Sequence, residues 1–216
     1  EDYAGLRVLR NWVYATPNEG VVKRTLNHLS FMLSSVVFSI WRIRQSDVIV
    51  VSSPSFFAVV SAWFMSRVLR VPYVFEVRDL WPDGAIEMGL LRNRLVQRAA
   101  HALEAACYRS AAHIVCLSPG MVDNIQQRFG VTEISSITNA ADLDLFGTPR
   151  PADHLPEVFA GHQVAIYTGN IGQVNNSDLL VRAARLLTER GRTDIAIVLV
   201  GDGQLKEELT AERDRL

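Results

Sequence analysis

Cysteine is scarce in this sequence. Only Cys107 and Cys116 occur in 216 residues, too few for a disulfide framework. One falls in a helical stretch and the other in a short apolar strand. Both are therefore expected as reduced core thiols, as in cytoplasmic proteins. The five histidines show no metal-ligand spacing, so no metal is assigned. No apolar run reaches about 18 residues, which excludes an expected membrane-spanning helix, and no signal-peptide pattern opens the chain. Net charge is −1, so nothing global points to nucleic acid. Neither a phosphate-cradling Walker loop nor the dinucleotide G-x-G-x-x-G pattern is present, and there is no internal repeat or low-complexity tract. The chain opens at Glu1 in charged sequence and stops at Leu216 inside a charged helical stretch. Neither end reads as a domain boundary, and a longer parent protein is expected.

What is present is an ordinary globular balance, with 49% apolar and 21% charged residues, enough to bury a core. Charge is uneven: residues 1–78 hold nine Lys/Arg against five Asp/Glu, and 79–216 hold thirteen against eighteen. A mildly basic first half facing an anionic surface and a chance asymmetry of solvated charge remain equal readings. Short apolar strands alternate with helical patterns. Strands are expected at 6–13, 47–52, 73–77, 113–117 and 134–138. The run 47–52 (DVIVVS) reads as a strand buried on both faces of a parallel sheet. Helices are expected at 23–44, 56–69, 92–110 and 118–129. The first should turn Leu26, Leu29, Leu33, Val36, Val37 and Ile40 to one side. Ser118-Pro119 is a strong helix start, and Gly130 suits a C-cap.

Residues 147–162 carry three of the eight prolines and read as a linker. The β/α pattern then restarts, with strands at 164–168 and 195–200 and helices at 177–190 and from 204. The expected organisation is an α/β domain over 1–147, a linker over 148–162 and a second domain beginning at 163. Such parallel sheets bind ligands at the carboxyl ends of their strands, which places a cleft between the two.

Four segments can carry chemistry. In 74–83, VFEVRDLWPD, a buried strand runs into Glu76, Arg78, Asp79 and Asp83. Charge at such a place is paired or used. Arg78 can grip phosphate with two parallel hydrogen bonds, and Asp79 or Asp83 can take a proton from a sugar hydroxyl. The competing reading is a structural salt bridge with Trp81-Pro82 as a packed turn. In 167–176, YTGNIGQVNN, Gly169, Asn170 and Gly172 allow close backbone approach to a ligand beside a helix N-terminus; a plain tight turn explains them equally. Gly201, Asp202 and Gly203 follow an apolar strand at a binding edge or form an ordinary turn. In 138–146, TNAADLDLF, Asn139 and Asp142 shape a turn toward the cleft or simply end a strand.

The order of these segments is more specific than any one of them. VFEVRDLWPD, CLSPGM at 116–121, ITNAADLDLF, a Pro-rich linker, YTGNIG and LVGDG together resemble the landmarks of family 4 glycosyltransferases of the GT-B type. The closest likeness is to the capsule, O-antigen and colanic-acid group, including N-acetyl-fucosamine transferases. The resemblance implies two Rossmann-like domains facing a cleft, both incomplete here. The first would bind the acceptor and the second a nucleotide-sugar donor. It implies catalytic roles for Glu76, Arg78 and Asp79, with Asp83, Asn139 and Asp142 lining the cleft. Donor phosphates would lie by Gly169, Asn170, Gly172, Gly201, Asp202 and Gly203.

Many relatives have His at the position of Arg78, and many follow Gly172 with Arg and Lys where this chain has Gln173, Val174, Asn175 and Asn176. The implied chemistry is transfer with retention at the anomeric carbon, with no metal and no cofactor, since the nucleotide sugar is a substrate. The implied acceptor is a polyprenyl-diphosphate-linked sugar or a polysaccharide at the cytoplasmic face of the inner membrane. The helices at 26–41 and 56–69, with Lys23, Arg24, Arg42, Arg44, Arg67 and Arg70 near their ends, fit contact with anionic lipid; core helices with snorkelling end charges are the alternative. A first strand with its Gly-rich loop would precede Glu1, and a Glu-x7-Glu pair would follow Leu216, so residues 1–216 alone are expected to be inactive. Two other classes stay open: a GT-B-type nucleotide-sugar 2-epimerase, for which no His is seen beside Glu76, Asp79 and Asp83, and a non-catalytic sugar-nucleotide-binding protein.

Overall fold

The computed structural model describes residues 2–3, 5–16, 21–53, 55–87, 89–147 and 156–215. The chain divides into two compact units, Glu1–Ala140 and Ala141–Leu216. The expected linker 148–162 is described only from residue 156, where Glu157–Phe159 makes one 3-10 turn.

The first unit is built on four parallel strands: β3 (Ile49–Ser52), β4 (Tyr73–Val77), β5 (His113–Cys116) and β6 (Ile134–Ser136), in that spatial order. β1 (Asp2–Tyr3) and β2 (Leu6–Arg7) form a small antiparallel pair before them. The helices are α1 (Val21–Ile43), α2 (Phe56–Leu69), α3 (Asp83–Glu87), α4 (Arg94–Ser110) and α5 (Pro119–Phe129). Strand alternation sets the core. β4 buries Tyr73, Phe75 and Val77 on one face, in register with Ile114 and Cys116 of β5. Phe75 stacks on Tyr108 of α4 at 5.3 Å, and Tyr108 meets Phe129 of α5 at 5.0 Å. Tyr73 donates its hydroxyl to the carbonyl of Cys107. Both cysteines are free and fully buried. Burial pushes the Cys107 thiol up to about 12 and Cys116 up to about 11, so both stay protonated at neutral pH.

The local signals behave as read at several points. The Ser118 hydroxyl accepts from Met121 N–H with Pro119 at the first position of α5, and Gly130 closes that helix at φ 66°. Two expectations change. Residues 8–13 are not a strand. Serines on α1 bind that stretch instead: Ser34 donates to Trp12 O at 2.5 Å, Ser39 to Asn11 Oδ1 at 3.2 Å, and Ser30 accepts from Tyr14 N–H at 2.8 Å. The Trp12 carbonyl and the Tyr14 N–H thus find partners in side chains of α1. The run 49–52 is also not covered on both faces. Among the described residues β3 has one neighbour in the sheet, and Val50 is 69% exposed.

α1 has its apolar side only partly covered, with Leu29, Val36 and Ile40 half-buried. Its buried positions are Ser34, Ser35 and Ser39, while Leu26, Leu33 and Val37 are exposed. Ser35 donates to Ser61 Oγ of α2 at 3.2 Å, so small side chains set the α1–α2 seam. No helix among the described residues is long and apolar enough to cross a membrane.

The second unit pairs β7 (Gln163–Thr168) with β8 (Ile195–Val200) in parallel, Tyr167 opposite Leu199. α6 (Leu143–Phe146), α7 (Asp178–Glu189) and α8 (Lys206–Arg213) accompany them. Its core is small: Ile171, Val181 and Leu209, with Leu199 and Leu205 packed against them. Both units are α/β with parallel strands, as the alternation requires.

The partial burial of α1 has a direct test. We expect Val37→Ser to change stability by less than about 0.5 kcal/mol, since its side chain meets solvent. Ser35→Leu should overpack the seam and cost about 1–3 kcal/mol. Urea unfolding of the two variants checks the order.

Candidate functional site

In the first unit the site is made where β4 ends. Ser53, almost wholly buried, donates its N–H to Glu76 O at 3.0 Å. Its hydroxyl accepts from Arg78 N–H at 2.8 Å and from Asp79 N–H at 3.4 Å. One buried oxygen thus holds two successive backbone N–H groups, and the Arg78 and Asp79 side chains stand exposed on that turn. Glu76 lies between Phe75 and Val77, so alternation turns it to the face opposite the core, where it is half-buried. Ser53 is a residue that motif reading missed. The only sequence signal is its place directly after β3, beside the strand that carries the motif.

The second half of the motif behaves differently. Trp81 stacks on Phe56 at 4.2 Å and Pro82 is buried after a cis Trp81–Pro82 bond. Asp83 opens α3 and pairs with Arg128, Oδ2 to Nη1 at 2.7 Å. The other guanidinium nitrogen of Arg128 reaches Glu104 Oε2 at 3.2 Å, and Glu104 is 1% exposed. His101 bridges the same two carboxylates, Nδ1 at 3.2 Å from Glu104 and Nε2 at 3.7 Å from Asp83. Arg128 sits in the last turn of α5. That helix starts at the carboxyl edge of the sheet and runs back about 16 Å before β6 begins. Asp83 is therefore tied to the last turn of α5 and to α4. The structural reading of Trp81–Asp83, a packed turn closed by an ion pair, describes what is seen. The absence of a histidine near these acids is also corrected, because His101 folds onto Asp83, with Nε2 3.7 Å from its carboxylate.

Burial pushes the Glu104 carboxyl up, and the His101 hydrogen bond and Arg128 charge work against that push. Among the described residues its Oε1 has no hydrogen-bond partner.

Beyond β6, Asn139 is exposed. Asp142 belongs to the second unit, where its side chain accepts from Asp144 N–H at 3.0 Å and Leu145 N–H at 3.1 Å to cap α6. That use of Asp142 is local.

In the second unit the loops after β7 and β8 pack on each other. Gly169 N–H donates to Val200 O at 3.0 Å, and Ile171 N–H to Asp202 O at 2.8 Å. A Cβ on Gly201 would lie 1.8 Å from Gly169 O, and one on Gly203 would lie 2.2 Å from Ile171 O. These two glycines are required by loop-on-loop contact before any ligand is considered. Ser177, buried at the start of α7, accepts from Gly172 N–H at 3.2 Å and fixes the first loop. Asn170 accepts at its carbonyl from the Tyr167 hydroxyl at 3.0 Å. Asp202 accepts from Gly203 N–H at 2.9 Å. An open cavity of about 750 Å³ is lined by Asp202, Gly203, Gln204, Lys206, Glu207 and Thr210, among others. Lys206 supplies positive charge there, 3.7 Å from Asp202. It is the second residue that motif reading passed over. Among the described residues no group of three or more His, Cys, Asp and Glu could hold a metal ion.

The Arg128 pairing gives a pH-dependent test. The folded-state pKa of Glu104 lies above its unfolded value, so the folded chain holds the extra proton. The stability this group contributes is full below the unfolded pKa and lost as pH rises through the folded one. Arg128→Ala removes the nearby cation and raises the folded pKa further. We expect a loss of about 3 kcal/mol at neutral pH, shrinking as the solution is acidified. Urea unfolding over a pH series reads this; a loss independent of pH would contradict it.

The Glycosyl transferase 4-like domain model matches residues 1–138. No curated protein sequence matches the chain significantly. Among solved structures, HepE of Anabaena in complex with UDP-glucose is 19% identical with a TM-score of 0.64, covering 85% of this chain and 49% of that one. HepE in complex with UDP and glucose is 18% identical with a TM-score of 0.63, covering 85% and 48%. The chain thus spans about half the length of these neighbours, and the likeness carries the fold. With the family model covering well over half of its residues, the chain belongs to the Glycosyl transferase 4-like domain family, within the GT-B glycosyltransferase superfamily.

Proposed function

We propose that the parent protein is a glycosyltransferase that moves a sugar from a nucleotide-sugar donor to a lipid-linked or polysaccharide acceptor. The observation that carries this is the Arg78–Asp79 turn, held by buried Ser53 inside the segment that matches the family. HepE was solved with UDP and with UDP-glucose, which supports a uridine diphosphate sugar as the first donor to try. In this reading Asp79 accepts the proton of the acceptor hydroxyl, with Glu76 beside it on β4. Arg78 stabilises charge that builds on the leaving diphosphate. Gly169, Asn170, Gly172, Gly201, Asp202 and Gly203 form the donor loops, and Asn139 borders the acceptor side. Lys206 supplies the cation that Gln173–Asn176 lack. We place transfer at the cytoplasmic face of the inner membrane, in surface polysaccharide synthesis of the capsule or O-antigen kind, with a hexose or N-acetylhexosamine moved and its configuration retained.

The 2-epimerase reading calls for acid/base carboxylates with a histidine. The pair of that kind found here, Asp83 and His101, is engaged with Arg128 and Glu104, which favours transfer.

Two variants of the parent protein test the assignment. Asp79→Asn should lower kcat by about 10²–10⁴-fold with donor KM little changed. Steady-state turnover with UDP-glucose and an extracted lipid-linked acceptor measures it; near-normal kcat would move Asp79 to a structural role. Lys206→Ala should weaken UDP binding about tenfold by calorimetric titration, as expected for one lost charge-assisted contact. Unchanged affinity would take Lys206 out of the donor site.

A further inference from the structure

The transfer reading draws its residues from the strand ends and leaves α1 out, yet the contacts between α1 and α2 bring the start of α1 to the same place. His28 stacks on Phe57 with ring centroids 5.9 Å apart and planes 8° from parallel. About one turn on, Ser61 donates to Met32 O at 3.2 Å, and Ser35 donates to Ser61 Oγ at 3.2 Å. Residue numbers rise together along the two helices, so α1 and α2 run in the same direction. α2 begins at Phe56, shortly after β3 ends at Ser52, and β3 to β6 are parallel. The first turns of α1 therefore lie at the carboxyl edge of the sheet, the edge at which such sheets take ligands.

Ser55 narrows what His28 can do there. Ser55 is the N-cap of α2, but its side chain makes no capping hydrogen bond, unlike Asn93 before α4 and Ser118 before α5. Its hydroxyl instead lies 3.4 Å from His28 Nδ1. Ser55 and Ser53 are two residues apart, at most about 7 Å between Cα atoms. Ser53 in turn holds the N–H groups of Arg78 and Asp79. One short segment thus ties an imidazole and the Asp79 turn to the same edge. Packing on Phe57 asks for an aromatic ring but for no ring nitrogen, and His28 is half-buried rather than enclosed. An imidazole with a hydroxyl beside it, next to the carboxylate assigned as base, is suited to hydrogen-bond the hydroxyl groups of a sugar.

We infer that His28 is an acceptor-binding residue of the transfer site: its imidazole hydrogen-bonds a hydroxyl of the acceptor sugar next to the one that Asp79 deprotonates. The inference rests on the transfer reading and adds to it a contact from α1. Because His28 serves the acceptor, its loss should spare the reaction of the donor with water.

The test compares variants of the parent protein in two reactions: transfer from UDP-glucose to an extracted lipid-linked acceptor, and hydrolysis of UDP-glucose with no acceptor present. His28→Phe keeps a ring to stack on Phe57 and removes both ring nitrogens. It should raise the acceptor KM about tenfold, the scale of one lost hydrogen bond, with donor KM, hydrolysis and urea midpoint unchanged. His28→Ala should raise the acceptor KM as much, and His28→Gln, which keeps an N–H donor, should recover part of the loss. An acceptor KM that His28→Phe leaves unchanged would overturn the inference and leave the transfer reading intact. Equal losses in transfer and hydrolysis would also overturn it, because His28 would then serve the fold or the donor. No transfer by the unaltered parent protein would overturn the transfer reading and this inference together.

Discussion

The hydroxyl of Ser53 is the point on which the first unit's candidate site turns. It is buried at the carboxyl end of β3 and accepts from two successive N–H groups of β4's exit turn. Those N–H groups lie past the last pair of β3 with β4, Ser52 with Glu76. A buried donor left unpaired costs about 1–3 kcal/mol, so the hydroxyl both satisfies the backbone and fixes its direction. Arg78 and Asp79 thus stand exposed on a turn whose backbone this hydroxyl holds. The same parallel register carries the constraint across β4, β5 and β6, and it decides which residues leave the sheet side by side.

The far end of the motif is held by different means. Trp81 packs on Phe56, Pro82 is enclosed, and Asp83 is tied to α4 and α5 through Arg128, Glu104 and His101. A carboxylate as buried as Glu104 is tolerated because a guanidinium and an imidazole share its Oε2. The motif is thus an exposed, charged turn between two anchors. The backbone anchor is a single hydroxyl, and the side-chain anchor is an ion-pair network. Groups meant to meet a substrate need this kind of support, since an error of an ångström in position costs rate.

The second unit reaches order with much less core. The loops after β7 and β8 are fixed chiefly by backbone hydrogen bonds to each other and by Ser177. Gly201 and Gly203 are needed because carbonyls of the neighbouring loop occupy the space where a Cβ would stand. Close packing of the loops and a close approach to phosphate ask for the same residue type, so the glycines serve the first purpose here whatever they do for the second.

Much of this was determined by sequence alone. Alternating strands and helices specify a parallel α/β fold, because a parallel pair requires a crossover. Ser118-Pro119 and Gly130 specify the ends of α5, because caps act within one turn. The ordered motifs specify the family. What the tertiary structure decided involves partners distant in sequence. The apolar stripe of α1 repeats at helical spacing whichever face is covered; the choice fell to Ser35 meeting Ser61, 26 residues away. DVIVVS reads as an interior strand, yet its exposure depends on how many strands flank it. Asp83 reads as a possible base until Arg128, 45 residues on, arrives beside it. Hydrophobic period and capping are properties of neighbours along the chain, whereas burial and ion pairing are properties of neighbours in space, and only the folded chain specifies the second kind.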